Sequence, residues 1–155
     1  MSAPIRSARL EDAHALADFV RGLGEFSGVT REAPEVTLGR VLEHLGIIVS
    51  SDRHSLLVAE RDGNLVGYCS VHWLPMMSQL EGFVSELFVA ASHRGEGVGT
   101  ELLEAVKAEA RTRGCGRLHL ENFRTKDSYV RSYYAKQGWH ERTAAASFTL
   151  DLREP

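Results

Sequence analysis

The sequence has few cysteines and prolines, little net charge and no long apolar run. Its 155 residues include two cysteines and four prolines, and the formal net charge is −3. No apolar run approaches the roughly 20 residues that a membrane-spanning helix needs, and the charge lacks the positive excess that attracts nucleic-acid phosphates. Residues 1–6 lack the continuous apolar segment of a secretory signal. These absences predict a cytoplasmic protein with no membrane or nucleic-acid partner.

Metal-ligand and disulfide patterns are also missing. Cys69 and Cys115 lie far apart, and neither belongs to a CxxC or Cys/His ligand spacing. Such cysteines in a cytoplasmic protein are expected as reduced thiols. The seven histidines include no HExxH or comparable pair. We therefore predict no metal site and assign no chemistry to either cysteine.

The remaining composition is that of an ordinary globular protein. Hydrophobic residues make up 43% and charged residues 25% of the chain, close to average usage. Chains of this length bury roughly 70% of their unfolded surface and rarely divide further. One domain over residues 1–155 is therefore expected.

Hydrophobic periodicity predicts an α/β fold. Strands are predicted at residues 4–9, 54–60, 65–73, 83–90, 117–121 and within 139–152, and helices at 11–24, 37–46, 98–113 and 128–137. The turn Asp62-Gly63-Asn64 makes the second and third strands a hairpin. Helices alternate with strands after residue 83, so the sheet is expected to be mixed but mostly antiparallel.

The most informative segment is a glycine-rich turn between a predicted strand and a predicted helix. It reads Arg94-Gly95-Glu96-Gly97-Val98-Gly99-Thr100. Glycines allow close approach of backbone to a ligand, and a helix start presents unpaired N–H groups and a positive dipole to an anion. Arg94 adds a full charge, so we predict a phosphate-binding turn. The alternative is a tight strand-to-helix connection without a ligand.

Two other phosphate motifs fit less well. A P-loop requires Gly-Lys-Ser/Thr, which does not follow here. The dinucleotide-binding fingerprint matches at Gly95-Glu96-Gly97 and at Glu121, which ends a strand about 20 residues later, but Thr100 occupies the third glycine position. A dinucleotide-binding enzyme is therefore the less favoured enzymatic alternative.

Two segments resemble the motifs of the GNAT acetyltransferase superfamily. Residues 94–99 are similar to its R/Q-x-x-G-x-G/A signature, with Glu86-Leu87-Phe88-Val89 preceding them as the family's central strand does. Downstream, Tyr133-Tyr134-Ala135-Lys136-Gln137-Gly138-Trp139 resembles the family's aromatic-Tyr-x-x-x-Gly-aromatic segment. A further likeness, to diamine acetyltransferases, lies around residues 23–26.

The resemblance spans nearly the whole chain and implies a fold, a donor and a reaction. The fold would be one GNAT-like domain with about six to seven strands and about four helices. Acetyl-CoA would be the donor, and the acetyl group would pass directly to an amine. Homodimers are common in the family, and residues 147–152 would offer a final strand for pairing across subunits. The alternative is a catalytically silent module that senses acetyl-CoA or binds a partner.

The same resemblance implies which residues bind the donor. Backbone groups of Leu87, Phe88 and Val89 would run beside the pantetheine arm. Arg94 and the amides of the glycine turn would hold the pyrophosphate, namely Gly95, Glu96, Gly97, Val98, Gly99 and Thr100. Asp127 stands where many family members have Asn, and an ionised carboxylate has no amide donors. Arg131 and Lys136, from a locally basic stretch, are predicted to contact the nucleotide phosphate.

The chemistry calls for a base and an acid. An amine attacks a thioester only as the neutral base, and the thiol must leave. Glu86 is the candidate base, directly or through water, and Tyr134 is the candidate acid for the departing thiolate. Tyr133 is the weaker alternative for the acid. Lesser candidates for a role at the site are His72, His93, His119 and Glu121.

The acceptor is predicted to be a small primary amine. Glu25, Glu32, Glu35 and Glu81 occupy the loops around residues 24–36 and 74–82, where acidic walls would favour a cation. A diamine, a polyamine or an amino-acid-like amine is favoured, and an aminoglycoside or a protein N-terminus is left as an alternative.

Overall fold

The structure, a computed structural model, describes residues 4–25 and 27–153. The chain divides into two compact units, Met1–Leu120 and Glu121–Pro155. The prediction of one domain over residues 1–155 stays a prediction.

The N-terminal unit is a five-stranded sheet with helices, counted over the described residues. The strands are β1 Ile5–Ser7, β2 His54–Arg61, β3 Asn64–Pro75, β4 Leu80–Val89 and β5 Arg117–Leu120, and the helices are α1 Ala13–Gly22, α2 Ser27–Arg31, α3 Pro34–Val49 and α4 Val98–Thr112. The sheet order is β1-β2-β3-β4-β5; all pairs are antiparallel except β4 with β5. The predicted mixed, mostly antiparallel α/β fold is confirmed, whereas the expected six to seven strands were too many.

Turn chemistry explains the central hairpin. Asp62 has φ +54° and Gly63 has φ +77°, and positive φ at both central residues matches the right-handed twist of the flanking strands. β3 then runs through the middle of the sheet with residues 66–71 buried. A short helix, α2, lies where a loop was expected, and α3 is longer at both ends than the predicted 37–46, with Pro34 in its first turn.

Helix α4 confirms its predicted apolar stripe. Its buried residues are Val98, Leu102, Leu103, Val106 and Ala110. Gly67 of β3 makes room for the helix, because a Cβ there would lie 3.0 Å from the Phe88 carbonyl oxygen and 3.3 Å from side-chain carbons of Val98 and Leu102. The start of α4 is thereby fixed against the sheet.

A second apolar cluster joins α1 and α3 to the sheet. Its buried members are Ala8, Ala13, Leu16, Leu45, Leu56, Val58 and Tyr68. Within residues 4–25 and 27–153, no helix combines the length and apolar character that a bilayer crossing requires.

The C-terminal unit departs from the sequence prediction in two places. The helix predicted at residues 128–137 is wrong, because α5 Asp127–Val130 is followed by a break at Ser132, whose φ is +57°, and then by a 3-10 turn at Ala135–Gln137. The final strand is also wrong, since the described residues 140–153 form no strand. Phe148, Leu150 and Leu152 of that segment are 92%, 83% and 87% exposed, so its alternating apolar side chains are not buried.

Candidate active site

Strand β4 has two differently paired halves. Residues 81–84 pair with β5 at residues 117–120, whereas residues 85–89 pair only with β3 among the described strands. The change coincides with a bulge: Ser70 opposes Glu86 and Val71 opposes Val84, so Ser85 has no Cα partner. Bulges often re-aim side chains beside active sites. The second half of β4 therefore presents a strand edge that an extended ligand can join.

The glycine turn follows this edge directly. Gly95 has φ +79° and Gly97 has φ +85°, and a Cβ at either position would meet nothing within 4 Å. The glycines are therefore required by backbone conformation and not by crowding. Gly97 is the N-cap of α4 and makes no side-chain capping bond. A helix start with a glycine N-cap beside open space is an anion-binding geometry.

Charged side chains surround the turn. The Nε of Arg94 donates to the Val89 carbonyl oxygen at 3.3 Å, which holds the guanidinium at the end of β4. Glu96 forms an ion pair with Arg61 of β2. Arg61 therefore balances the negative charge that Glu96 brings to the turn. The sequence alone did not point to Arg61, because only the folded hairpin brings it close to the turn.

A cleft of about 260 Å³ lies between the helices α1–α3 and the sheet. It is lined by Leu16, Val20, Val29, Arg40, Val41, His44, Leu45, Ile48, Leu56, Tyr68, Ser70 and Glu86. Glu86 is half-buried and accepts a hydrogen bond from the Tyr68 hydroxyl at 3.0 Å. Burial, and then the charge of Glu86, raise the pKa of Tyr68, so the phenol stays a donor. The structure thus places the predicted base Glu86 at the sheet side of an apolar cleft.

A histidine–serine pair, not identified from sequence, adjoins the cleft. Ser70 is buried, and its Oγ lies 2.6 Å from Nε2 of His54. Burial, and then the neighbouring His72 ring at 4.1 Å between centroids, lower the pKa of His54 to about 4. Nε2 of His72 in turn lies 3.0 Å from the Oγ of Ser85, the bulged residue. A neutral imidazole therefore stands behind Ser70 at ordinary pH.

The second predicted motif lies in the C-terminal unit. Tyr134 is half-buried and meets Tyr133 and Trp139 edge-on, with ring centroids 5.0 Å and 6.2 Å away. Arg131 pairs with Asp127 at 3.0 Å and lies 5.1 Å above the Tyr133 ring. The predicted cofactor contacts of Asp127, Arg131 and the exposed Lys136 stay predictions, as does the role of Tyr134.

The other candidates are occupied by structural contacts. His119 pairs with Glu81 at 2.7 Å, and Glu121 accepts a hydrogen bond from Ser147 at 2.9 Å. His93 lies in the 3-10 turn Ala91–His93, with its Nδ1 2.9 Å from the Ser92 hydroxyl. Across the described part of the chain, no three His, Cys, Asp or Glu side chains gather as metal ligands.

Comparisons with known proteins agree with the fold and with the glycine turn. The chain is 32% identical over 99 residues to an uncharacterized N-acetyltransferase of Archaeoglobus fulgidus, covering 62% of this chain and 67% of the relative. It is 32% identical over 71 residues to the streptothricin acetyltransferase of Streptomyces lavendulae, covering 46% of this chain and 36% of that protein.

Among solved structures, a transcriptional regulator from Bacillus halodurans C-125 superposes with a TM-score of 0.82 at 19% identity, over 97% of this chain and 99% of that one. This likeness concerns the fold. The model of the Acetyltransferase (GNAT) family matches residues 21–139, which include both the glycine turn and the Tyr134 segment. The chain belongs to the GNAT family and is an acetyltransferase.

Proposed function

We propose that the protein transfers an acetyl group from acetyl-CoA directly to a primary amine, with Glu86 as base and Tyr134 as acid. One observation carries this proposal. Residues 85–89 form a strand edge that leads into the glycine turn, and Glu86 of that same strand lines the neighbouring cleft. Donor and acceptor surfaces therefore share one strand.

The donor surface fits the shape and charge of coenzyme A. An extended pantetheine arm carries amides that can pair with the backbone of Leu87 and Val89 as a neighbouring strand does. The pyrophosphate needs a positive dipole and N–H donors, which the start of α4 supplies beside Arg94. We assign Phe88 and residues 95–100 to the same surface. Arg131, Lys136 and Asp127 are proposed contacts of the nucleotide end.

The acceptor surface fits deprotonation of an amine. A primary ammonium has a pKa near 10 and must lose its proton before it attacks. Glu86 accepts one hydrogen bond from Tyr68, and an ionised carboxylate has about four acceptor positions, so others can receive the ammonium. The proton passes to Glu86 directly or through one water. When bound, acetyl-CoA supplies a thioester carbonyl as the electrophile.

The acid assignment rests on the second family motif. The departing thiolate is the conjugate base of a thiol with a pKa near 8.5. A phenol, whose pKa is higher, can protonate this thiolate only when it lies within hydrogen-bond reach. Tyr134 stands at the tyrosine position of that motif. The residue is half-exposed.

Calorimetric titration with acetyl-CoA, with NAD as control, tests donor binding, and thiol release across an amine panel then tests transfer. We expect acetyl-CoA to bind, NAD not to bind, and thiol release to depend on amine. Glu86→Gln should keep donor binding and lower kcat by about 10²-fold or more. Glu43→Gln removes a charge from the exposed face of α3 and should change neither value. Binding without release for every amine would favour the acetyl-CoA sensor instead.

The protein is further proposed to be a cytoplasmic homodimer. The exposed Phe148, Leu150 and Leu152 alternate as a strand would, and a second copy could cover them. Sedimentation of the full chain should give a dimer, and Leu150→Asp should shift it toward monomer. A monomer at all concentrations would contradict this proposal.

A further inference from the structure

The cleft has an uneven charge composition. Among the described residues, Glu86 is the one carboxylate in its lining, and Arg40 and His44 are the basic groups. Aliphatic side chains form most of the remaining wall. A ligand in this cleft therefore meets one anionic position and a largely apolar surface.

The acidic residues expected to attract a second cation are engaged elsewhere. Both oxygens of Glu32 bind Arg40, and Oε1 also accepts from the Thr37 hydroxyl at 2.7 Å. These bonds, that of Arg40 first, lower the pKa of Glu32 to about 2, so the ion pair persists at every ordinary pH. Glu81 binds Gln79 at 2.9 Å and His119 at 2.7 Å. Neither carboxylate lines the cleft.

The size of the cleft also limits the ligand. Its volume is about 260 Å³, compared with roughly 150 Å³ for an apolar cavity that accommodates benzene. One ring or a short branched chain with its amine fits within this volume.

We infer that the acceptor is a monoamine with a compact apolar body, and not a diamine or a polyamine. The inference rests on the proposed function and specifies its substrate class. The amine nitrogen meets Glu86, and the body packs against Val41, Leu45 and Ile48. This differs from the acidic-wall hypothesis, because Glu32 and Glu81 are paired elsewhere and none of the four acids named there is in the lining of the cleft.

A diamine should bind less well than a monoamine because of where its second ammonium group would lie. In a diamine it would lie among aliphatic side chains or beside the guanidinium of Arg40, whose own partner Glu32 is engaged by that guanidinium and lies outside the lining. Placing a charge against an apolar surface without a partner is unfavourable. An apolar terminus of the same length instead gains from burial, by about fourfold in affinity for each methylene.

The test compares n-pentylamine with 1,4-diaminobutane, which have equal numbers of heavy atoms and differ in one terminal group. Their affinities are measured by calorimetry with CoA present, so that no reaction occurs. We expect n-pentylamine to bind at least about tenfold more tightly. Equal affinities, or tighter binding of the diamine, would overturn the inference. Thiol release with acetyl-CoA is measured separately, and its absence for all amines would count against the transferase proposal alone.

A charge added to the wall should weaken or remove the preference. Val41→Glu places a second carboxylate on the half-buried face of α3 that lines the cleft, and it should lower the ratio of the two affinities by about tenfold. Leu42→Glu is the matched control, because Leu42 is 45% exposed and lies outside the lining. Melting temperatures of both variants check folding. If the two variants shift the ratio equally, the cleft does not select the amine.

Discussion

The two family motifs lie in units of very different construction. The glycine turn starts α4, a 15-residue helix whose five apolar stripe residues are all buried. The Tyr134 segment follows a four-residue helix and a break at Ser132, and its rings are half-exposed. In the proposed function, the first motif acts through backbone geometry that a packed core fixes, whereas the second acts through side-chain chemistry. Mutations in the first should therefore affect donor binding, and mutations in the second should affect turnover.

The largest expected effect is loss of donor binding in Gly97→Glu. Gly97 has φ +85°, and the space beside it is open. A glutamate would be strained there and would place a negative charge in the anion site, so acetyl-CoA affinity should fall by about a thousandfold or more. Calorimetric titration measures the loss.

Gly114→Glu is the control that separates the effect of backbone strain from the effect of the added negative charge. Gly114 follows the other end of α4 with φ +72° and also has nothing within 4 Å of an added Cβ. It carries the same backbone strain, of about 1–2 kcal/mol, outside the turn. Equal loss of acetyl-CoA affinity in both variants would show that the glycine turn is not the phosphate site.

Tyr134→Phe should leave donor binding nearly intact and lower kcat by about 10²-fold, because removing the hydroxyl takes away the acid while keeping the ring contacts with Tyr133 and Trp139. Steady-state thiol release gives kcat, and calorimetry gives affinity. Tyr133→Phe is the control and should change kcat little. A similar fall in both variants would remove the distinction between the two tyrosines.

Gly67→Ala should destabilise the protein by about 1–3 kcal/mol, because its Cβ would lie 3.0 Å from the Phe88 carbonyl oxygen and 3.3 Å from two side chains of α4. Urea unfolding measures the change. Gly39→Ala, within α3 and with open space around the new Cβ, should be neutral or stabilising by up to about 1 kcal/mol. Equal destabilisation would mean that α4 does not depend on close approach at Gly67.

The smallest effect concerns pH. The folded-state pKa of His54 is about 4, below the usual 6.5, so the unfolded chain binds more protons between these values. The free energy of unfolding should therefore be highest above pH 6.5 and fall as pH drops toward 4, by about 1 kcal/mol after allowance for solvent screening of this partly exposed ring. His54→Gln should flatten the slope between pH 6.5 and 4.5. An unchanged slope would mean that groups other than His54 cause the pH dependence of the free energy of unfolding.

The sequence was sufficient where local pattern determines structure. The stripe of α4 and the hairpin at Asp62-Gly63 follow from periodicity and turn chemistry, and both are observed. The site on β4 was partly accessible, since the glycine spacing and Glu86 could be read from the motif. The bulge at Ser85 and the His54–Ser70 pair could not, because each strand pair contains a register shift, at Ala59/Glu60 and at Ser70/Val71, that the sequence pattern does not reveal.

Errors occur where a local pattern lacks its tertiary partner. Residues 147–152 alternate like a strand, but alternation does not specify a neighbouring strand, and none is present among the described residues. The 128–137 helix fails at Ser132, whose left-handed conformation is rare for any residue but glycine. The cleft was missed because its lining comes from α1, α2, α3 and three strands, a convergence that no single segment displays.

One buried side chain makes the native state distinguishable by thiol chemistry. Cys69 on β3 is fully buried, and its surroundings raise the pKa of the thiol to about 12 through burial and then the charge of Glu86. Thiol reagents need both access and thiolate, so they will label Cys115, which is half-exposed, and spare Cys69 while the fold persists. Labelling of a second cysteine per chain would therefore report opening of the sheet beneath the cleft, and the rate of that labelling would follow unfolding.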